Sequence, residues 1–325
     1  MRVLFLGTPE FAIPSFRALL RTHELCAVFT QPDRPAGRGQ LPQASAVKLA
    51  AVSAGIPVFQ PEKIRDPENQ PVLESYRADC IVVVAYGQIL PRWLLQIPRL
   101  GCVNVHASLL PRYRGAAPIQ WALLNGDSFT GITTMLMDEN LDTGPMLLQK
   151  QIEIPQVMTA GQLAVKLAEG GAELLIPTLA GLESGELRPV AQDEAQATFA
   201  PRITKEMARI DWDQDACMIH NLIRALNPAP LAWTGWKGSR VQILRSAPPD
   251  AFRAQGYAPG MFWGSSGLAM KVVCGEGSVL EVLELQPAGR KKISGREYAN
   301  GARLKPGEQL RTNLKESGVR SQESE

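Results

Sequence analysis

Histidine is scarce in this chain, with three residues in 325: His23, His106 and His220. They lie too far apart in sequence to form a metal-binding cluster of the usual spacing. Cysteine is nearly as rare. Cys26, Cys80, Cys102, Cys217 and Cys274 are odd in number and widely separated. They read as reduced thiols packed in a cytosolic core, not as a disulfide framework. No apolar run approaches the length of a membrane span. The opening run Val3-Leu4-Phe5-Leu6 stops at Gly7, too short for a secretory signal, so a cytoplasmic location is expected. Three nucleotide and nucleophile motifs are also missing. There is no G-x-G-x-x-G after the first apolar run, no P-loop, and no G-x-S-x-G. These absences argue against the common dinucleotide and nucleoside triphosphate sites and against a serine on a nucleophile elbow.

What is present is an ordinary globular composition, 45% hydrophobic and 20% charged, in a length that suits two domains. The net charge of +2 conceals an asymmetry. Residues 1–201 hold 16 Lys and Arg against 19 Asp and Glu, a balance of −3, and residues 202–325 hold 18 against 13, a balance of +5. An acidic front and a basic back hint at nucleic acid binding by the back half, although a solvated surface gives the same count.

The front half alternates short apolar runs with helical spacing. RVLFLG (2–7), LCAVFT (25–30), IPVFQ (56–60), DCIVVVAY (79–86) and GCVNVH (101–106) read as strands. Helical patterns near 11–21 and 44–54 lie among them, and the stretch QPDRPAGRGQLPQ reads as a loop. Strands covered on both faces by helices appear as unbroken apolar runs, so a Rossmann-like, mostly parallel sheet is expected. ITTMLMD and PMLLQKQIEI predict a strand pair turning at Asp142-Thr143-Gly144, followed by a long helix over roughly 160–184. The polar stretch 189–206 reads as an exposed linker. A short helix at 217–226 and regularly spaced short strands predict a smaller OB-like β-barrel over 207–310. The polar tail 311–325 is expected to be disordered.

One constellation carries chemistry. Strand side chains alternate, so Asn104, His106 and Ser108 share one face while Val103 and Val105 take the other. His106 closes the strand, at the edge where open α/β sheets bind ligands. An amide and an imidazole can donate to one oxygen, an arrangement that stabilises a carbonyl becoming tetrahedral. With no elbow serine, the nucleophile would come from a substrate. Asp142 is the candidate acidic partner for the imidazole. The residue pattern leaves a plainer account open: a packed strand histidine, an asparagine satisfying frayed backbone, and a simple hairpin turn.

The segments NVHASLLPRYRGAAPIQWALLNGD and TGITTMLMDENLDTGPML closely resemble the methionyl-tRNA formyltransferases, a family of folate-dependent formyl transferases. VLFLGTPEFA, TQPDRPAGRG, VVVAYGQILP, ARIDW and LQPAGRKKISGREYANG extend the resemblance over nearly the whole chain. The N-x-H…S-L-L-P…D core is shared with other folate-dependent transferases and hydrolases; RGAAPI, PDRPAGRG and the C-terminal segment are more specific. The resemblance implies a catalytic domain at 1–188 that transfers formyl from 10-formyltetrahydrofolate to the α-amine of methionyl initiator tRNA. It implies Asn104, His106 and Asp142 as the catalytic trio and Ser108, Leu109, Leu110 and Pro111 as the folate segment. It also implies a tRNA-binding barrel, with Arg38 and the triplet Arg290, Lys291 and Lys292 in contact with tRNA. No tightly bound cofactor, metal or membrane is implied, and a monomer is expected. The sequence departs from the family pattern after Gly39, where QLPQAS is less basic, and at Ala107, where the family often has glycine. His23 and His220 match no catalytic motif and are expected to be structural or solvated. Two rivals share parts of this pattern: a formyltransferase for glycinamide ribonucleotide or an amino sugar nucleotide, and a non-catalytic RNA-binding module. The first needs neither the arginine loop nor the basic barrel, and the intact trio argues against the second.

Overall fold

The computed structural model describes residues 1–36 and 41–310, so Arg38 and the tail beyond Leu310 lie outside the described residues. Two compact units emerge. The first comprises Met1–Ile119, Ser128–Ile154 and Gln162–Arg202; the second comprises Gln120–Asp127, Pro155–Gly161 and the chain from Ile203.

Through the first part of the chain run β1 (Arg2–Gly7), α1 (Ile13–Thr22), β2 (Glu24–Phe29), β3 (Arg34–Ala36) and β4 (Leu41–Gln43). Next come α2 (Ala46–Ser53), β5 (Val58–Phe59), α3 (Asn69–Ser75), β6 (Cys80–Val84), α4 (Arg92–Leu95) and β7 (Cys102–His106). The series closes with α5 (Pro118–Leu124), β8 (Phe129–Leu136), β9 (Met146–Glu153) and α6 (Ala160–Ser184). Seven strands form one sheet in the order β5-β2-β1-β6-β7-β8-β9. The pairings from β5 to β7 are parallel, whereas β7–β8 and β8–β9 are antiparallel. The expected mostly parallel sheet is therefore present. The stretch read as a plain loop after β2 differs in one respect: β3 and β4 pair antiparallel, with Pro35 opposite Pro42.

Every residue of β6, CIVVV, is buried, as a central strand covered on both faces requires. Each such Val or Ile contributes about 1.5–3 kcal/mol by leaving water. One apolar layer gathers Leu4, Leu6, Phe29, Ile64, Ile81, Val83 and Leu94. On β7 the alternation sets function against packing. Val105 faces α6, which comes close because Gly171 has no side chain; a Cβ there would lie 2.7 Å from Val105 Cγ1. Asn104 and His106 are thereby turned to the other face.

The second unit holds α7 (Ala216–Ala225), β10 (Ala232–Trp236), β11 (Ser239–Ser246), β12 (Phe262–Ser266) and β13 (Ala269–Val273). β14 (Val279–Pro287), β15 (Ile293–Ser294) and α8 (Gly295–Gly301) complete it. The sheet is antiparallel, in the order β10-β11-β14-β13-β12, with β15 on β14. Its edge strands share no ladder among the described residues. Leu310 bridges β10 and the segment just before β12, donating its N–H to Gly260 O at 2.7 Å and accepting from Thr234 Oγ1 at 2.8 Å. Trp212, Ile219, Val241, Ile243, Val272 and Leu280 fill the core of this unit.

Candidate active site

His106 ends β7 opposite Thr133 of β8, and Asn104 lies between Val83 of β6 and Met135 of β8. The imidazole is buried, and each ring nitrogen faces a polar group. Nε2 lies 3.0 Å from the Tyr113 carbonyl, so this nitrogen carries the proton it donates. Nδ1 faces Asp142 Oδ1 at 3.6 Å. The Asp142 carboxylate is fixed from its other side, where Oδ2 accepts the Gly115 N–H at 2.8 Å. The Asn104 amide makes no hydrogen bond among the described residues and is half-buried. The structure thus brings His106 and Asp142 together and leaves Asn104 as the unengaged donor of the three.

The backbone around this pair is unusual. Tyr113 and Asp142 hold φ of +62° and +56°, and Gly115 holds +121°. Non-glycine residues with positive φ cost energy and persist only where surrounding bonds impose them.

The segment Ser108–Pro111 is pinned to the sheet. Ser108 Oγ donates to Arg112 O at 2.5 Å, and Thr133 Oγ1 donates to Ser108 O at 2.7 Å. Leu110 N donates to Thr133 Oγ1 at 3.0 Å, and Gln149 Nε2 donates to Leu110 O at 2.8 Å. Ser108 and Leu110 are buried, whereas Leu109 and Pro111 are half-buried. The Ser108 hydroxyl is already spent on closing the turn, so only Leu109 and Pro111 of the four keep partly accessible side chains.

Residues 190–200 carry mostly exposed side chains, as their polar composition predicts, yet they do not run free. Gln192 Nε2 donates to Asp142 O and to Gly144 O, both at 2.8 Å. Gln192 Oε1 accepts from Arg114 Nε at 3.0 Å, and the buried Arg114 grips Glu194 with two further bonds of 2.9 and 2.8 Å. That fork holds the Glu194 carboxyl below its ordinary range. Thr198 Oγ1 accepts the Tyr113 N–H at 2.9 Å. Sequence reasoning missed Thr133, Gln149, Gln192, Glu194 and Thr198. The alternation that put His106 on a working face could have flagged Thr133, its cross-strand partner; nothing local marks the others.

Arg290, Lys291 and Lys292 lie together and exposed in the turn from β14 to β15, and no ion pair involves them among the described residues. His220 is buried in the second unit, with Nδ1 2.8 Å from Ser246 Oγ and Nε2 2.9 Å from Gln156 O. Burial pushes its pKa down. His23 lies 2.7 Å from Thr22 Oγ1 through Nδ1, away from the paired His106 and Asp142. Among the described residues no group of three or more His, Cys, Asp or Glu could hold a metal ion, and no helix is long and apolar enough to cross a membrane.

The comparisons with known proteins bear on both units. The formyl transferase family model matches residues 1–179, and the model for the formyl transferase C-terminal domain matches residues 202–303. The chain belongs to the formyl transferase family. A methionyl-tRNA formyltransferase of Solibacter usitatus is 50% identical over 95% of this chain and 98% of its own. One from Clostridium novyi is 45% identical over 93% of this chain and 97% of its own. Among solved structures, WlaRD, a sugar 3N-formyl transferase, superposes with a TM-score of 0.65 at 18% identity, covering 90% of this chain and 99% of that one. HypX from Aquifex aeolicus in complex with tetrahydrofolic acid gives 0.61 at 18% identity, covering 92% of this chain and 47% of that one. At such identity these two speak for the formyl transferase fold alone.

Proposed function

We propose that the protein transfers the formyl group of 10-formyltetrahydrofolate to the α-amine of methionyl initiator tRNA, giving N-formylmethionyl-tRNA. One observation carries this reading: the chain matches proteins named methionyl-tRNA formyltransferase at about half identity through both units, with the His106–Asp142 pair and Asn104 at the end of β7. A free α-amine has a pKa of about 8, and esterification of its carboxyl lowers it further by induction, so a neutral amine is available without a strong base. Asn104 donates to the formyl oxygen as the amine adds and charge gathers there. His106 adds a second donor by exchanging the Tyr113 carbonyl for that oxygen. Asp142 holds the ring's orientation and stabilises the charge on the imidazole as the pair accepts the proton shed by the amine. Collapse expels the folate nitrogen, which takes up a proton as it leaves. Holding amine and formyl carbon together supplies much of the rate.

In this reading Ser108–Pro111 meets the folate, with Leu109 and Pro111 supplying accessible apolar surface and Ser108 and Leu110 shaping the turn. Residues 1–188 form the catalytic domain, 189–206 the connection, and 207–310 the tRNA-binding domain. The protein acts as a cytoplasmic monomer with no tightly bound cofactor. Arg290, Lys291 and Lys292 contact tRNA phosphates, and Arg38 meets the acceptor end. The test is formyl transfer by the full chain to methionyl initiator tRNA, set against a glycinamide ribonucleotide and an amino sugar nucleotide. Transfer to tRNA, lost in Asn104→Ala, is expected. Transfer to either small amine with none to tRNA would overturn the reading.

A further inference from the structure

The segment between the two family matches, residues 180–201, does more than connect. Its residues 192–198 hold both groups that face the His106 ring. Thr198 fixes Tyr113, whose carbonyl accepts from Nε2, through the Tyr113 N–H. Gln192 fixes Asp142, whose carboxylate faces Nδ1, through the Asp142 carbonyl. We propose that Gln192 is a positioning residue for the His106–Asp142 pair, its side-chain amide clamping the 142–144 turn so that the carboxylate meets the ring. This rests on the function proposed above.

The geometry explains why a glutamine serves. Two carbonyls of the turn, those of Asp142 and Gly144, converge on one nitrogen, each at 2.8 Å. Only a group with two N–H donors satisfies both. The other end of the same amide must accept, because Arg114 Nε donates to it at 3.0 Å. A primary amide combines two donors with an acceptor; a carboxylate has no donor and an ammonium no acceptor. The clamp has work to do, since Asp142 sits at φ +56° and would relax out of that conformation if its carbonyl were released. Arg114 and Glu194 anchor the strap. The buried Arg114 guanidinium closes a fork on Glu194, while the Arg114 main-chain N–H donates to Thr198 O and its carbonyl accepts from Ala200 N, each at 2.8 Å. Among the described residues no hydrogen bond joins Gln192 to the His106 ring; its bonds go to the turn and to Arg114.

The experiment measures formyl transfer to methionyl-tRNA by the full chain as Gln192→Glu, Gln192→Ala, Asp142→Asn and the double variant Asp142→Asn with Gln192→Glu. Gln192→Glu keeps the acceptor for Arg114 but turns an oxygen toward the two carbonyls. Loss of a group that orients a reacting residue costs about 10- to 100-fold, so kcat should fall by that factor. KM for the formyl donor should move by no more than roughly threefold, because ground-state binding is untouched. In the Asp142→Asn background the second change should cost almost nothing more, since residues acting through one another are not additive. Thermal unfolding run alongside identifies a folding defect, which would lower kcat in the parent and the Asp142→Asn background alike. The inference is overturned if both Gln192 variants keep parental kcat while Asp142→Asn is impaired, or if the losses multiply in the double variant. Parental kcat in Asp142→Asn would instead overturn the role assigned to Asp142, and the positioning role with it.

Discussion

Replacing Gly115 with alanine tests the strained loop beside the His106–Asp142 pair. Gly115 holds φ at +121°, and a Cβ built there lies 2.8 Å from the Ala200 carbonyl oxygen. Carbon–oxygen contacts of this kind sit at about 3.3 Å, so loop and strap must part by about 0.5 Å. The forced backbone conformation adds about 1–3 kcal/mol. At about 2–4 °C per kcal/mol for a domain of this size, the unfolding midpoint should fall by about 2–12 °C. The catalytic effect comes from the same movement. The Gly115 N–H holds Asp142 Oδ2 at 2.8 Å, and the Ala200 carbonyl pushed aside by the new methyl accepts from Ala117 N at 3.1 Å. Misplacing a reacting group by a fraction of an ångström to an ångström costs about 10- to 100-fold in rate, so kcat for formyl transfer should fall by that factor. Gly185→Ala is the control. Its φ of +74° also favours glycine, but nothing lies within 4 Å of the added methyl. It should lower the midpoint by a few degrees and leave kcat alone. Calorimetry and single-turnover transfer on both proteins decide the matter. Parental kcat in Gly115→Ala despite a lowered midpoint would refute the claim that this loop holds Asp142 for catalysis.

His106→Ala should lose about 10²–10⁴-fold in kcat, as removal of an acid–base group does, while the protein still folds with a lowered midpoint; activity within a few-fold of the parent would end its assignment. Asn104→Ala should lose about 10²–10³-fold, the usual cost of one oxyanion donor, with KM for folate little changed in steady-state assays. Changing Arg290, Lys291 and Lys292 together to alanine should reduce the slope of log affinity for tRNA against log salt by roughly 2–3, at about 0.7–0.9 per phosphate contact. An unchanged slope in filter-binding titrations would remove that turn from the interface. His220 gives a pH signature. Burial lowers its folded pKa below the unfolded value of about 6.5, so the unfolded chain binds the extra proton first. Its contribution is complete above that value and is lost as pH falls from there toward the folded pKa. Unfolding free energy measured in urea should therefore drop across that interval, and His220→Gln should flatten the drop.

Sequence alone determined the elements whose information is local. The span of α6, 160–184, coincides with its amphipathic pattern. The apolar runs at 2–7 and 79–86 contain β1 and β6, because a strand buried on both faces leaves an unbroken apolar signature. The alternation along CVNVH was enough to set Asn104 and His106 on one face, since neighbouring strand side chains point oppositely whatever surrounds them. Tertiary structure alone decided how that face is built. Gln192 reaches Asp142 across 50 positions, Arg114 reaches Glu194 across 80, and Tyr113 reaches Thr198 across 85. A hydrogen bond that involves a side chain needs one donor and one acceptor at the right distance and leaves no periodic trace in either segment. That is why 189–206 reads as a polar linker: its composition reports exposed side chains, which it has, and carries no record of where its backbone and amide donors go.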